Sequence, residues 1–262
     1  NKNINTHVNY YHKPNVNIQH LWEINDNQSL TNVVYYSTGN GGGTGLSSQG
    51  SGPDGWTTDN QINYQYIYDS NSGNIWNSFI NPGGPAIDLA YSEDEKKATY
   101  ILYSSINNHY WGGLLSTYNA KINSNLDLAL GVDLRSYKGE HYREVYDLIG
   151  GDYYAGSMSP GKNSVGENSN DLMLREGDKI YYHNDGLVKW TGGFGQLEYE
   201  NGNISTFINF TASKTAYKRI DYFKKRDIVL EDTIINQAIG INDTIIYNGQ
   251  ELTVRPAETE WE

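Results

Sequence analysis

The sequence predicts an all-β fold, an antiparallel up-and-down transmembrane β-barrel present as a partial arc of a larger barrel. Three observations lead there: apolar and polar residues alternate strictly over several runs, three very short turns of like composition join extended segments, and long polar segments separate the resulting hairpins. Alternation places the apolar side chains on one face of a strand. Tight turns at one end and long loops at the other are the layout of outer-membrane barrels, with turns toward the periplasm and loops outside.

The elements follow in chain order. Val16, Ile18, Trp22 and Ile24 alternate with Asn15, Asn17, Gln19 and Glu23, with His20 and Leu21 out of phase; the run turns at Asn25-Asp26-Asn27, which defines a hairpin at about 15–38. A polar segment at about 39–97 follows. Its glycine-rich start, 39–45, misses the dinucleotide-binding spacing and leads into no helix, so it reads as the beginning of a loop. The second hairpin, about 98–137, turns at Asn123-Ser124-Asn125, and in its return arm Leu126, Leu128, Leu130, Val132 and Leu134 alternate with small or charged residues. Its first arm, 98–122, is uninterrupted and would extend on the order of 80 Å at about 3.3 Å per residue. A bilayer needs only about 9–11 tilted residues, and soluble strands usually have about 3–10.

After a second polar segment at about 138–186, the third hairpin, about 187–217, turns at Asn201-Gly202-Asn203. Ile204, Thr206, Ile208, Phe210 and Ala212 carry its alternation, interrupted by Phe207. Asn, Asp and Gly tolerate the positive φ of tight hairpin turns. Trp22, Tyr118 and Tyr199 each precede a short turn, where an interfacial aromatic girdle would run. In the last polar segment, about 218–262, Asn248-Gly249 suits a type I′ turn within an ordered hairpin at 244–254, and the end, Thr259-Glu260-Trp261-Glu262, begins a further strand. Six long strands are too few to close, since ordinary barrels have at least about 8 and an open edge in lipid leaves backbone groups unpaired. Residues 1–262 are therefore expected to form one arc of a larger sheet. Asn1 is not an initiator Met and no signal peptide follows it, so the chain reads as mature and processed or as a piece of something longer.

Composition narrows the function classes. With 262 residues, no Cys, 31 acidic and 19 basic side chains, the formal charge is −12. A mean hydropathy of −0.67 and the lack of a long apolar run exclude a transmembrane helix, but not barrel strands, which need one apolar face. The absence of cysteine excludes disulfides and thiolate metal sites. The acidic balance argues against nucleic acid as a partner. Aromatics make up 13% of the residues, which is foreign to disordered chains and suits pleated strands.

Candidate sites are few. The stretch 156–163 nearly matches a phosphate-binding loop, but Asn163 stands where Ser or Thr would hold magnesium, so a plain loop is the better reading. His7, His12, His20, His109, His141 and His183 fall at no metal-ligand spacing, and the loop acids Asp54, Asp59, Asp69, Glu93, Asp94 and Glu95 form no calcium-loop pattern. The cluster Glu140-His141-Tyr142-Arg143-Glu144 reads as cross-strand ion pairs facing the barrel interior, with contact to a ligand or plug as the alternative. Trp56, Tyr64, Tyr66, Tyr68 and Trp76 read as the core of a folded loop, because the three tyrosines alternate as in a strand; stacking on a sugar or peptide is the other reading. No catalytic, cofactor or metal residue is assigned, and the chain is expected not to be an enzyme.

Several segments carry a family resemblance. Asn107-Asn108-His109-Tyr110-Trp111-Gly112-Gly113-Leu114-Leu115-Ser116, Tyr137-Lys138-Gly139-Glu140-His141-Tyr142-Arg143-Glu144-Val145, and the stretches 36–45, 178–186 and 215–223 resemble TonB-dependent receptors of the Bacteroidetes type. The resemblance implies a barrel of about 22 strands, filled by an N-terminal plug, that imports a nutrient across the bacterial outer membrane with energy relayed by TonB. The chain matches the middle of such a barrel, and no plug or TonB-contacting segment is seen in it. Its expected partners are outer-membrane lipid, the plug and TonB through other parts of the protein, and a surface lipoprotein or larger outer-membrane complex. Two other readings stay open: a receptor-like barrel serving as a structural subunit, and a soluble secreted carbohydrate-binding or adhesive β protein.

Overall fold

The computed structural model describes residues 5–48, 57–58, 61–75, 86–155, 172–230, 234–235 and 241–261. Its main feature is one antiparallel 8-stranded sheet. The strands are β1 (Asn9–His12), β2 (Asn15–Asn25), β3 (Gln28–Ser48), β4 (Tyr100–Asn123), β5 (Leu126–Asp147), β6 (Lys179–Asn201), β7 (Ile204–Lys225) and β8 (Pro256–Trp261). β1 and β2 lie end to end along one edge, both pairing with β3, and the order then runs β4, β5, β6, β7, β8. The break between β1 and β2 falls at Pro14, which has no N–H for a ladder; the Ser37 hydroxyl donates to its carbonyl at 2.9 Å. The sheet is open among the described residues, with β2 and β8 at its edges, and all-β antiparallel architecture holds as expected.

The three expected hairpins form, through turns that work differently from one another. Only Gly202 takes a positive φ, of 60°. In the other two, the Asn25 side-chain oxygen accepts from the Asn27 N–H and that of Asn123 from the Asn125 N–H, both at 2.9 Å. These Asx contacts replace the left-handed backbone that the composition suggested. The late hairpin is as expected: Asn248 and Gly249 both have positive φ between Thr244–Tyr247 and Gln250–Thr253.

The strands extend further than alternation alone indicated. β3 continues through the glycine run to Ser48, so 39–45 is strand and not the start of a loop. β5 reaches Asp147, β6 begins at Lys179, and β7 reaches Lys225, all inside segments expected to be loops. The glycines are tolerated because side chains of adjoining strands lie over them: the Tyr11 ring on Gly41, the His109 ring on Gly39 and Tyr103 on Gly45. The run 98–122 is divided, since Lys97–Ala98 leaves the main sheet to pair in parallel with Tyr153 and Tyr154.

The expected strand through Tyr64, Tyr66 and Tyr68 is instead a helix, α1 (Tyr64–Asn71). Asn63 caps it, its side-chain oxygen accepting from the Tyr66 N–H at 3.0 Å, and Ile67, Ser70 and Asn71 form its buried side. The buried core gathers at the loop end of the sheet. One cluster joins Ile67, Tyr100, Leu102 and Ile149, against which Ile62 and Tyr64 pack; another joins Ala98, Ile101, Val145, Leu148, Tyr154, Leu174 and Ile180. The loop-core reading of the tyrosines thus survives for Tyr64 despite the wrong element, while Trp56 and Trp76 lie outside the described residues.

Candidate functional site: the two faces of the sheet

Residues directly opposite each other in adjacent strands share a face, so the register defines two chemically distinct surfaces. One face carries Leu30, Tyr118, Leu130, Gly195 and Phe210 in one row across β3 to β7, and Val34, Leu114 and Leu134 in another. Much of this apolar surface stands exposed: Leu130 is 46% and Phe210 70% exposed, as is Ile208 on the same face at 71%, while Leu30, Leu114 and Tyr118 are half-buried. Along β5 the band runs over the nine residues from Leu126 to Leu134, eight steps of about 3.3 Å or about 26 Å along the strand. Toward the loop end it gives way to Tyr36 and Tyr110 and then to charge, Lys138 pairing with Glu140 at 2.8 Å and with buried Asp185 at 3.1 Å.

The opposite face is mainly polar, although Leu21, Leu115 and Phe207 stand exposed on it too. Asn17, Gln19, Thr31, Thr117, Asp133, Arg135, Gln196, Asn209, Thr211 and Ser213 occupy its rows. Asp133 accepts both guanidinium bonds of Arg135, which lies over the Trp190 ring. Aromatic rings on this face lie down on glycine of the next strand: Tyr35 on Gly113, His109 on Gly39, Phe194 on Gly131. Trp111 meets Tyr137 edge-on at 6.0 Å, and Tyr137 stacks with His109 at 6.2 Å. The result is a low floor of rings between polar side chains, the glycine-and-aromatic pairing that pins register in curved sheets.

Nearer the loop end, the same face holds Arg143. It lies opposite Ser105, to whose hydroxyl its Nε donates at 3.1 Å, and its guanidinium sits 4.0 Å from the Tyr103 ring centre. Tyr181 and Tyr182 bulge out of β6 beside it, where the register shifts between Ile180 and His183. Tyr181 adopts φ 64°, a left-handed conformation that costs a non-glycine residue on the order of 1–2 kcal/mol. Its hydroxyl is held 2.7 Å from that of Tyr154 and 3.0 Å from Ser47 Oγ.

The polar cluster 140–144 is therefore split rather than wholly interior. Glu140 and Glu144 pair with Lys138 and Lys179 on the face that carries the apolar band, because they alternate with His141 and Arg143. Only His141, 2.7 Å from Asn107 Oδ1, and Arg143 reach the polar face. The histidines stay dispersed: His20 contacts Asn32, His183 stacks on Tyr222 at 4.4 Å. Among the described residues no group of three or more His, Asp or Glu is placed to hold a metal ion. Glu95 is engaged by Arg175 at 2.8 Å, and Asp69 accepts from Gln65 at 3.1 Å. The phosphate-loop-like stretch 156–163, Asp54 and Asp59 lie outside the described residues. Sequence reasoning missed the ring-on-glycine floor, although the period-two placement of Gly39, Gly41, Gly43 and Gly45 is its signal.

No protein-family model matches the chain, and neither does a curated protein or a solved structure. The class rests on geometry alone: an open antiparallel sheet of long strands, apolar on one face and mainly polar on the other.

Proposed function

We propose that the chain is part of the barrel of a TonB-dependent outer-membrane receptor that imports a nutrient into the periplasm. The observation that carries the barrel part of this reading is the exposed apolar band on one face, which on β5 runs over the nine residues Leu126–Leu134, close to the roughly 9–11 tilted residues with which a strand crosses a bilayer; the receptor and import part rests on the family resemblance alone. In water such a face would be costly, at about 25 cal/mol per Å² of apolar surface; against lipid it is an anchor. The tyrosines above it fit an interfacial girdle. Among the described residues β8 pairs with β7 from Tyr217 to Lys225, and the rest of that edge fits pairing with a further strand of a closed sheet. In this reading the chain is a scaffold: the apolar face holds the membrane, the polar face lines the lumen around a plug, and the loop end meets the ligand.

The test is the purified chain's behaviour with and without detergent, together with single cysteines at Phe210 and Thr211 carrying a fluorophore. Brominated lipid should quench the label at 210 and spare the one at 211. A monodisperse chain in plain water, or equal quenching at both positions, would sink the proposal.

A further inference from the structure

Arg143 differs from the other arginines on the polar face. Arg135 is neutralised by Asp133, and Arg219 lies 3.7 Å from Asp221 and donates to Asn184 at 2.7 Å. Arg143 has no carboxylate partner among the described residues. Its Nε is used by Ser105, its flat side rests on Tyr103, and Tyr181 and Tyr182 stand 5.2 and 5.7 Å from it. With Nε taken, the two terminal amino groups are left pointing the same way. That end-on pair of donors matches the two oxygens of a carboxylate. The stack and the Nε bond fix the side chain beforehand, so little rotamer entropy remains to be lost on binding.

A formed hollow adjoins the two residues that hold it. That hollow, of about 500 Å³, is walled by Asn9, Tyr11, Thr44, Tyr103, Ser105 and Asn107, two of which, Tyr103 and Ser105, are the residues that hold Arg143. Gly41, Gly42 and Gly43 also line it, with the Tyr11 ring against Gly41 and the Asn9 side chain against Gly43. The wall is neutral, aromatic and amide-bearing, which suits the flat body of a small molecule better than a second charge. The bulge that sets Tyr181 and Tyr182 beside the guanidinium keeps a left-handed tyrosine there, and such strain concentrates at binding sites.

We infer that Arg143 and this hollow form a subsite for a small ligand that presents a carboxylate to the guanidinium and lays a flat, uncharged body against Tyr11 and Tyr103. The inference rests on the polar face being open to solvent, as in the proposed lumen, and names the ligand chemistry for that face.

Benzoate, benzamide and phenylphosphonate titrated into the full chain by calorimetry test it, in whichever medium, detergent or plain buffer, keeps the chain monodisperse. The choice of medium reports on the barrel reading, and the titrations report on Arg143 alone. Benzoate should bind saturably, benzamide about 10-fold or more weaker, and Arg143→Gln should weaken benzoate by about 10-fold or more, as loss of a charge-assisted pair predicts. Ser105→Ala, which leaves the charge and frees Nε, should weaken it less and serves if Arg143→Gln fails to fold. Equal binding of benzoate and benzamide, an unchanged Arg143→Gln or Ser105→Ala, or no saturable benzoate binding would overturn the proposal. Tighter phenylphosphonate than benzoate would overturn the carboxylate assignment.

Discussion

The side-chain amide of Asn71 donates to the carbonyl of Leu148 at 2.9 Å and so fastens the end of α1 to the turn that follows β5. The same amide reaches the carbonyls of Tyr100 at 2.8 Å and Ile149 at 3.2 Å, while its oxygen accepts from the Thr99 N–H at 2.9 Å. Asn71 is wholly buried, so these backbone groups have no water to fall back on. One side chain thus joins three segments of the loop-end core. Asn71→Asp keeps the shape but cannot donate, leaving carbonyls facing a carboxylate. It should cost about 2–4 kcal/mol of local stability, read as lost hydrogen-exchange protection at Thr99 and Tyr100 with the amides of Leu126 to Leu134 unchanged.

The faces of β5 make a matched pair of charge insertions. Leu130 stands on the apolar face opposite Tyr118 and Gly195, and its neighbour Ala129 on the polar face opposite Asn119 and Gln196. Leu130→Arg should cost about 2–4 kcal/mol if it sits at mid-membrane, and Ala129→Arg close to nothing. Urea titrations of both variants refolded into lipid vesicles measure the difference; equal effects would remove the assigned lipid face.

Glycine on the polar face is required by close approach rather than by φ. A Cβ on Gly113 would stand 2.6 Å from the carbonyl oxygen of Leu134 and run into the hydroxyl of Tyr35, whereas one on Gly193, which lies on the apolar face opposite Val132, meets nothing nearer than 3.7 Å. A ring can turn away, but the carbonyl belongs to the ladder. Gly113→Ala should therefore destabilise the sheet by about 1–3 kcal/mol, and Gly193→Ala should be near neutral in the same denaturation experiment.

How much was legible in the sequence follows from where the information sits. The hairpins could be read because the alternation of 126–134 and the Asn-rich turns are local. The upper half of β3 could not, because Gly39, Gly41 and Gly45 have no side chains to alternate; what makes them strand is the rings of His109, Tyr11 and Tyr103 from other strands. Tyr64, Tyr66 and Tyr68 mislead for the opposite reason: spacing two apart mimics a strand, while the deciding residues are the Asn63 cap and buried Ile67. Arg143 was visible as part of a polar cluster. Its role was not, since Ser105 lies 38 residues away and the bulge at Tyr181 comes from a third strand.

The loop-end core should also respond to acid through Asp88. Burial raises its pKa, but the Lys97 ammonium at 2.7 Å and the Ala90 N–H at 3.1 Å outweigh this and hold the carboxyl below its ordinary 3.8. A folded-state pKa below the unfolded one means that the stabilisation is fully present above about 3.8 and is lost as pH falls through the lower, folded value. Lys97 begins the parallel pairing with Tyr153, so this loss would loosen the small sheet at that point. In urea titrations followed at Tyr153 by NMR, the wild-type midpoint should drop with acid below that pH more steeply than that of Asp88→Asn. Parallel curves for the two proteins would show that the ion pair contributes nothing to holding the core.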